Sequence, residues 1–242
     1  MKLSVIIVHY RTPELLRLCL QRLNEHLTDV EHEIKIVDNS NNNIGFARGV
    51  NQGLAETTGE YRLIINPDTL ITKGAVQQML AYMDAHTDIG MLGPQLLYFN
   101  GEHQRSYRRF YRPVTILAQR TPLKAFGYFK KISDDFLMHD TDPKKIQTPD
   151  WILGAAMLVR ASALAEVGFM DDRYFLYFED VDWCRRFWHN GYKVVYFPDA
   201  VFYHYYPRAS SRWGLLDVIL NKKTRWHLAS ALRFFRKYHT LN

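Results

Sequence analysis

Residues 3–16 read LSVIIVHYRTPELL, and this stretch decides the class of fold. Its first six residues form a nearly continuous apolar run, which is typical of a parallel strand buried on both faces. Thr12 then predicts an N-cap, Pro13 the first helical position, and Glu14 a favourable charge near the positive end of the helix dipole. A strand that leads directly into a helix predicts the α/β class.

The same alternation continues along the chain. Further strands are predicted at residues 34–37, 61–65, 90–97, 151–159 and 192–197, and further helices near residues 47–55, 74–84, 161–167 and 179–191. This spacing predicts a mostly parallel sheet flanked by helices, with right-handed crossovers. Residues 100–149 lack clean periodicity, and we interpret them as either a mobile basic loop or an inserted helical piece.

The totals restrict the class of protein. The 242 residues suit one large domain or two small ones. Cys19 and Cys184 are the two cysteines, and because there is no CxxC or Cys/His cluster we expect neither zinc nor disulfides, as in a reducing cytosol. The N-terminal apolar run is too short for a signal peptide, and the longest uncharged apolar run, residues 151–159, is far below the roughly 20 residues of a spanning helix. The expected localisation is cytoplasmic.

Positive charge is unevenly distributed along the chain, whose net charge is +6. Residues 104–131 contain eight Arg or Lys and no acid, and residues 212–242 contain seven against Asp217 alone. These segments predict an anionic partner, such as a phosphate or a lipid surface. For the tail, two interpretations stay open. It is either a C-terminal amphipathic helix, peripheral on anionic lipid at the inner face of the plasma membrane, or a helix packed on the body with solvated lysines.

Polar side chains follow three predicted strands at their carboxyl ends, where open parallel sheets bind ligands. They are His9, Tyr10, Asp38, Asn66 and Asp68. Asp38 can accept hydrogen bonds from a nucleobase or ribose, and Asp68 can ligate a hard cation that holds a diphosphate. A turn or a helix cap is the alternative for any one of these acids, but three polar clusters at equivalent positions favour a site.

Residues 43–53 read NIGFARGVNQG, with glycines spaced by four. This spacing matches neither the dinucleotide fingerprint nor the P-loop. The helix N-terminus near Gly45 can still face a phosphate or ribose, with Arg48 and Asn51 as the side chains placed to help. The alternative is that the glycines permit close packing of the helix on the sheet.

Residues 178–186 read FEDVDWCRR and contain three acids followed by two arginines. Asp182 lies one helical turn before Arg185 and Arg186, which predicts a structural ion pair. Glu179 and Asp180 stand at the start of the helix, directly after the aromatic run YFLYF, and are predicted to face a site. Helix capping is the alternative for this pair.

Seven segments occur in an order that resembles the family 2 inverting glycosyltransferases, most closely the bacterial rhamnosyltransferase branch. They read VIIVHYRTPELL, IVDNS, NNIGFARGVNQGL, LIINPDT, DWILGAAMLVR, FEDVDWCRR and FYH, and they cover residues 3–211. The resemblance implies a GT-A fold and a nucleoside-diphosphate sugar donor, with dTDP-rhamnose the best guess, used together with Mg²⁺ or Mn²⁺. It also implies a glycan or polyprenyl-linked acceptor in cell-surface polysaccharide synthesis. Residues 1–99 would form the nucleotide-sugar-binding half of the domain and 100–211 the acceptor-binding and catalytic half, followed by the basic helical tail 212–242.

The resemblance also implies individual roles on the donor side. Asp38 is similar to the base-recognition aspartate, and Asp68 stands at the last acid of the metal-binding D-x-D pattern. The first acid of that pattern is here Asn66, which leaves one carboxylate for the metal. His204 resembles a histidine that completes the metal or diphosphate site in some relatives. His9, Tyr10, Arg48 and Asn51 are predicted to join the donor-binding residues.

On the acceptor side, the resemblance places the catalytic base at Asp180. Glu179 would bind acceptor hydroxyls, and Asp150, Trp151 and Gly154 match the segment that lines the acceptor pocket. Inversion needs such a base to deprotonate the hydroxyl that attacks the anomeric carbon.

Two rival functions are considered. A sugar-nucleotide pyrophosphorylase would need a Gly-rich loop with Arg or Lys after the first strand, where this chain has HYRTPELL. A non-catalytic basic module for nucleic acid or membrane is permitted by the charged segments. However, Asp38, Asp68 and the pair Glu179 and Asp180 would repel a polyanion without metal, so no nucleic-acid partner is expected.

Overall fold

The computed structural model describes residues 1–120, 127–205 and 222–239. The strands are β1 (Leu3–His9), β2 (His32–Asp38), β3 (Tyr61–Ile65), β4 (Thr69–Ile71), β5 (Ile89–Leu97), β6 (His103–Gln104), β7 (Tyr107–Arg108), β8 (Trp151–Ile152), β9 (Ala156–Arg160) and β10 (Lys193–His204). The helices are α1 (Pro13–His26), α2 (Phe46–Ala55), α3 (Ala75–Ala85), α4 (Pro113–Arg120), α5 (Gly127–Phe136), α6 (Ala161–Val167), α7 (Glu179–His189) and α8 (Lys222–His239).

One mixed sheet organises the described part of the chain. Seven strands follow the order β2-β1-β3-β9-β5-β10-β4, and β6 pairs with the end of β5. Strands β1, β2, β3, β5 and β10 run in one direction, whereas β4, β6 and β9 run in the other. The sheet is therefore mostly parallel in strand direction, as predicted, but β9 is antiparallel to both of its neighbours. Strands β7 and β8 form a separate antiparallel ribbon.

The sheet separates two apolar cores. Successive residues of a strand point to opposite faces, so Ile6 and Val8 of β1 enter one core while Val5 and Ile7 enter the other. Helices α2, α6, α7 and α8 contribute to the first core, and α1 and α3 to the second. Every residue of β1 is buried, which confirms the prediction of a strand covered on both faces.

The glycines of α2 let this helix lie close to the sheet. A Cβ added at Gly49 would come within 2.6 Å of Val8 Cγ1, and one at Gly53 would clash with the same strand. Gly45 is the N-cap, and its φ of 91° favours glycine. A Cβ there would also lie 2.7 Å from the carbonyl oxygen of Phe175. The close-packing interpretation of these glycines is confirmed.

The prediction of one strand at residues 151–159 is wrong. Strands β8 and β9 occupy its two ends and lie in different sheets, with a turn at residues 153–155 between them. The turn exists because the Leu153 amide donates to the Ser106 carbonyl oxygen (2.7 Å) and the Gly154 amide donates to Asp180 Oδ2 (3.0 Å). Neither amide is then available to extend a strand.

One further local expectation differs from the structure, and one open alternative is decided by it. Thr12 occupies the N-cap position of α1, but its side chain makes no capping hydrogen bond. Residues 100–149 contain helices α4 and α5 and strands β6 and β7, as the inserted helical alternative anticipates. The mobility of this segment stays a prediction, and residues 121–126 lie outside the described part.

Helix α8 packs on the body of the protein. Ala231, Phe234 and Tyr238 are buried in the same core as α7, whereas Lys222 and Arg225 are exposed. Residues 222–239 therefore pack on the body, contact of their exposed side with a lipid surface stays a prediction, and residues 206–221 and 240–242 lie outside the description. Within the described ranges, no helix combines the length and the apolarity needed to cross a bilayer.

Candidate active site

The parallel register of β1 and β2 places His9 opposite Asp38 at the ends of these strands. His9 Nε2 lies 3.2 Å from Asp38 Oδ1, and the Ser40 amide donates to the same oxygen at 2.7 Å. The hydroxyl of Ser40, then its amide, and the nearby imidazole of His9 lower the pKa of the Asp38 carboxyl. Asp38 is exposed, so its carboxylate can still accept hydrogen bonds from a ligand. Tyr10 is also exposed beside this pair.

The turn between β3 and β4 carries Asn66 and Asp68. The Asn66 amide donates to the Ala155 carbonyl oxygen (2.9 Å), which ties this turn to the segment before β9. Asp68 Oδ1 is buried, makes no hydrogen bond within the described chain, and lies 3.4 Å from His204 Nε2. The antiparallel pairing of β10 with β4 brings His204 to this place, although it is more than a hundred residues away in sequence.

The imidazole of His204 is oriented by a second partner. Its Nδ1 donates to Gln104 Oε1 at 2.8 Å, so in the neutral ring Nε2 carries the lone pair that faces Asp68. An unsatisfied carboxylate oxygen and an oriented imidazole nitrogen suit a divalent cation whose other ligands come from a diphosphate. Among the described residues, no group of three or more His, Cys, Asp or Glu is placed to hold a metal by itself. The residues therefore fit a cation that is shared with the substrate.

The two predicted side chains of α2 have different surroundings. Arg48 is exposed, and its Nε lies 3.6 Å from Asp172 Oδ2. Both polar atoms of the Asn51 side chain are hydrogen-bonded. Its Nδ2 donates to the Met170 carbonyl oxygen (2.8 Å), and its Oδ1 accepts from the Met170 backbone amide (3.0 Å). Asn51 therefore holds α2 against the loop before α7, which the donor-binding prediction did not anticipate.

The start of α7 has an unusual backbone. Tyr177 and Phe178 have φ values of 70° and 69°, and left-handed conformations cost about 1–3 kcal/mol each in residues other than glycine. Helix α8 holds these residues from the outside. The Ser230 hydroxyl donates to the Leu176 carbonyl oxygen (3.0 Å), and the ring of Phe234 lies 5.4 Å from that of Phe178.

The two acids that follow are buried side by side. Asp180 accepts hydrogen bonds from the amides of Gly154 (3.0 Å) and Val181 (2.9 Å). Burial raises the pKa of Asp180, and the two amides and the charge of Arg108 oppose that shift. Burial, and then the charge of Asp180, raise the pKa of Glu179 well above its usual value, and Glu179 Oε2 has no hydrogen-bond partner in the described residues. The pKa of both acids is therefore raised, but two amide hydrogen bonds oppose this shift at Asp180.

The predicted acceptor residues meet this pair from β8. Gly154 lies against Asp180, and a Cβ added there would be 3.4 Å from its Oδ2. Trp151 is buried, and its Nε1 donates to the Arg109 carbonyl oxygen at 2.8 Å. Asp150 Oδ2 accepts from the Phe110 amide at 2.6 Å, so this carboxylate anchors the chain after β7.

Asp182 has a structural role, as predicted, but with more partners than the sequence indicates. It is fully buried, and Arg186 Nε donates to its Oδ2 at 3.0 Å. Lys237 Nζ (2.6 Å) and the Tyr238 hydroxyl (2.9 Å) donate to its Oδ1 from α8. The predicted pair with Arg185 is wrong, because that guanidinium lies 4.0 Å from the centre of the Tyr238 ring instead.

The site therefore has two flanks. The strand-end flank consists of His9, Tyr10, Asp38, Asn66, Asp68 and His204. The carboxylate flank consists of Glu179, Asp180, Gly154, Trp151 and Arg108. The turn at residues 153–155 joins them, because Gly154 binds Asp180 and the next residue, Ala155, binds Asn66.

Sequence reasoning missed three kinds of contributors to this site. Gln104 orients His204, Lys237 and Tyr238 fasten α8 to α7, and the charge of Arg108 opposes the rise in the pKa of Asp180. The basic character of residues 104–131 was a signal for Arg108, but it did not distinguish this arginine from its neighbours.

The fold is that of a GT-A type of α/β protein, with polar side chains gathered at the strand ends. The model of Glycosyl transferase family 2 matches residues 23–144, and the chain belongs to that family. It is 27% identical over 205 residues to rhamnosyltransferase WbbL of Escherichia coli (strain K12), over 84% of this chain and 71% of that protein. It is 26% identical over 182 residues to the N-acetylglucosaminyl-diphospho-decaprenol L-rhamnosyltransferase of Mycobacterium tuberculosis (strain ATCC 25618 / H37Rv), over 70% of this chain and 58% of that protein.

A solved structure supports the fold. The mannosyltransferase PcManGT from Pyrobaculum calidifontis, in complex with GDP-Man and Mn²⁺, superposes with a TM-score of 0.59 and 15% identity. The match covers 96% of this chain and 64% of that one. This neighbour confirms the predicted GT-A architecture of a sheet flanked by helices.

Proposed function

We propose that the protein is an inverting glycosyltransferase that moves a sugar from a nucleoside diphosphate to a hydroxyl of a glycan or polyprenyl-linked acceptor. Family membership supports the reaction class, and the two bacterial relatives support dTDP-rhamnose as donor and cell-surface polysaccharide synthesis as context. The observation that carries the proposal is Asp180, a buried carboxylate bonded to the same turn that leads to Asn66. One end of this turn serves the acceptor and the other the donor.

Asp180 is the proposed catalytic base. Its carboxylate accepts the proton of the acceptor hydroxyl as the hydroxyl oxygen forms a bond to the anomeric carbon. The bond from that carbon to the diphosphate oxygen breaks on the opposite face, and its electron pair leaves with the diphosphate. The amides of Gly154 and Val181 hold the carboxylate in place. Glu179, kept protonated by burial, is proposed to donate a hydrogen bond to an acceptor hydroxyl.

The strand-end flank is proposed to bind the donor. Asp38 suits the base or ribose because it is exposed and ionised, and His9, Tyr10 and Asn66 lie at the same strand ends. Arg48 is proposed to bind the diphosphate, whereas Asn51 positions α2. Asp68 and His204 are proposed to hold Mg²⁺ or Mn²⁺ together with the diphosphate. When bound, such a cation supplies positive charge that stabilises the leaving diphosphate.

The acceptor is proposed to lie against β8. Gly154 keeps the approach to Asp180 open, because any side chain there would contact the carboxylate. Trp151 offers an aromatic wall, and Asp150 fixes the backbone after β7. The acceptor hydroxyl would then lie between this wall and the base.

A donor screen tests the proposed reaction. Full-length protein with Mn²⁺ is incubated with UDP-, GDP- and dTDP-sugars, and release of the nucleoside diphosphate is measured with and without a lipid-linked glycan acceptor. We expect dTDP-rhamnose to give the fastest release, in an acceptor-dependent manner. Release from no donor would overturn the proposal, and release of a nucleoside triphosphate in the presence of pyrophosphate would instead indicate a pyrophosphorylase.

An anionic membrane surface is proposed as a further partner, on the inner face of the plasma membrane. The outer side of α8 exposes Lys222, Lys223 and Arg225, and each basic residue near an anionic surface contributes about 1 kcal/mol. Flotation with vesicles rich in phosphatidylglycerol is expected to recover the wild type, and to recover the double variant Lys222→Gln/Arg225→Gln less well. Equal recovery of both proteins would contradict this role of α8.

A further inference from the structure

One cation of the carboxylate flank makes no direct ion pair within the described residues. Arg108 is on β7, directly opposite Trp151 on β8. Its guanidinium carbon lies 5.2 Å from the centre of the Trp151 ring and 5.8 Å from that of Phe136, which holds the side chain by cation–π contacts. Its Nε is buried without a hydrogen-bond partner, and Arg108 forms no ion pair with any described residue.

The neighbouring arginines differ from Arg108 in this respect. Arg105 donates to the carbonyl oxygens of Leu137 (3.2 Å) and Met138 (2.6 Å). Arg109 and Arg112 pair with Asp135 at 3.2 Å and 3.0 Å. These three side chains therefore have hydrogen-bonded or ion-pair partners within the protein. The stacked guanidinium of Arg108 makes no direct ion pair, so it can bind an anion from outside the chain.

Segment 151–155 relates the position of Arg108 to the rest of the site. Segment 151–155 begins with Trp151, which pairs with Arg108, and ends with Ala155, which binds Asn66 of the strand-end flank. Gly154, which holds Asp180, stands between them. Arg108 is close enough to Asp180 for its charge to oppose the upward shift of the pKa of that carboxyl. Arg108 therefore belongs with Trp151 and Asp180 on the carboxylate flank.

We propose that Arg108 is a specificity-determining residue that binds a phosphate group of the acceptor, so that the enzyme selects a sugar linked through a diphosphate to a lipid. The inference rests on the proposed function and adds the residue that recognises the acceptor's charge. The planar guanidinium can donate two parallel hydrogen bonds to phosphate oxygens while the acceptor sugar reaches Asp180. A neutral glycoside of the same lipid lacks this anion and loses the contact.

The test compares two probes that differ in the diphosphate alone. One is geranyl N-acetylglucosaminyl diphosphate, and the other is the uncharged geranyl N-acetylglucosaminide. Calorimetric titrations use the full chain with Mn²⁺ and an excess of dTDP, UDP and GDP, so that the donor diphosphate site is filled. The proteins are wild type, Arg108→Met, Arg108→Lys and the control Arg112→Met, which removes a paired arginine of the same segment.

We expect the wild type to bind the charged probe about 10- to 100-fold more tightly than the neutral one, the range for hydrogen bonds to a charged group. Arg108→Met should lose this preference and leave the neutral probe unaffected, Arg108→Lys should keep part of it, and Arg112→Met should behave as the wild type. Equal binding of both probes by the wild type, or an equal loss of both in Arg108→Met, would overturn the proposal. If Arg108→Met does not fold, the proposal is still tested by the ratio of charged-probe to neutral-probe affinity in the wild type and by the same ratio in Arg108→Lys.

Failure of this inference is distinguishable from failure of the proposed function. If the donor screen shows acceptor-dependent release of the nucleoside diphosphate and the two probes bind equally, the glycosyltransferase assignment stands and the role of Arg108 is wrong. If no donor is consumed in that screen, the proposed function itself fails.

Discussion

The two flanks of the site place carboxylates in opposite environments. On the strand-end flank, Asp38 is exposed, and hydrogen bonds from Ser40, two residues further on, lower its pKa. On the carboxylate flank, Glu179 and Asp180 are buried, and burial raises the pKa of both. The first environment is local in sequence, whereas the second needs β8, α7 and α8 together. The comparison teaches that local hydrogen bonds at an exposed carboxyl lower its pKa, whereas burial raises the pKa of other carboxyls in the same site.

The largest expected effect is on the buried base. Asp180→Asn removes the carboxylate that is proposed to take the acceptor proton, so kcat should fall about 10²- to 10⁴-fold. Donor affinity should stay within about twofold of the wild type, because the donor is proposed to bind on the other flank. The measurements are steady-state transfer and calorimetry with the nucleoside diphosphate. Near-normal turnover would remove Asp180 as the base and end the division of labour between the flanks.

The next effect concerns the strand-end flank and its metal. Asp68→Ala should weaken nucleoside diphosphate binding about 10-fold in the presence of Mn²⁺ and have little effect in its absence, because the lost oxygen acts through the cation. Calorimetry of both proteins with and without Mn²⁺ measures this. Asp199→Ala, at an exposed position on β10, is the control. Unchanged affinity with Mn²⁺ would show that Asp68 does not hold the metal.

A third variant tests how α8 supports the carboxylate flank. Lys237→Met removes one of the cations that neutralise the buried Asp182, and the free energy of unfolding should fall by about 1.5–3 kcal/mol. Urea unfolding measures the change as a lower midpoint at an unchanged slope. Arg225→Met, at an exposed position on the same helix, should leave the midpoint where it is. Equal midpoints for the two variants would mean that the α8 contact does not stabilise α7.

The smallest effect is a pH dependence of stability. The pKa of Glu179 is raised in the folded protein, so its contribution to stability is fully present below the unfolded pKa of about 4.3 and is lost as pH rises through the folded pKa. Glu179→Gln does not titrate, so its free energy of unfolding relative to the wild type should increase with pH, by at most about 1.4 kcal/mol per pH unit.

Thermal unfolding of Glu179→Gln and wild type across that range measures this slope. Glu14→Gln, at an exposed glutamate in the first turn of α1, is the control. A constant difference between Glu179→Gln and the wild type at all pH values would show that Glu179 is not held protonated by the fold.

Much of the strand-end flank could be predicted from the sequence, because its signals are local. An apolar run followed by His9, or by Asp38, places each residue at the end of a buried strand without any knowledge of distant contacts. His204 was suspected from resemblance alone. Its position beside Asp68 depends on the antiparallel pairing of β10 with β4, and sequence periodicity does not specify which strands pair.

The sequence predicted which acids belong to the carboxylate flank, but it did not predict the contacts that hold them in place. FEDVDWCRR predicted a helix, a pair of site-facing acids and a structural Asp182. It did not predict the break of the 151–159 strand, which occurs because the Gly154 amide bonds Asp180 and not a neighbouring strand. Nor did it predict that Arg185 would stack on Tyr238 while Lys237 pairs with Asp182.

By itself, the sequence determined the α/β alternation, the strand ends that carry His9, Asp38 and Asp68, and the acidic start of α7, because each depends on neighbours within about one turn or strand. Only the tertiary structure decided in which direction the pKa of each acid shifts and which arginine makes no ion pair. Those properties depend on burial and on partners such as Gly154, Lys237 and Trp151, which lie far from their contacts in sequence and meet through packing alone.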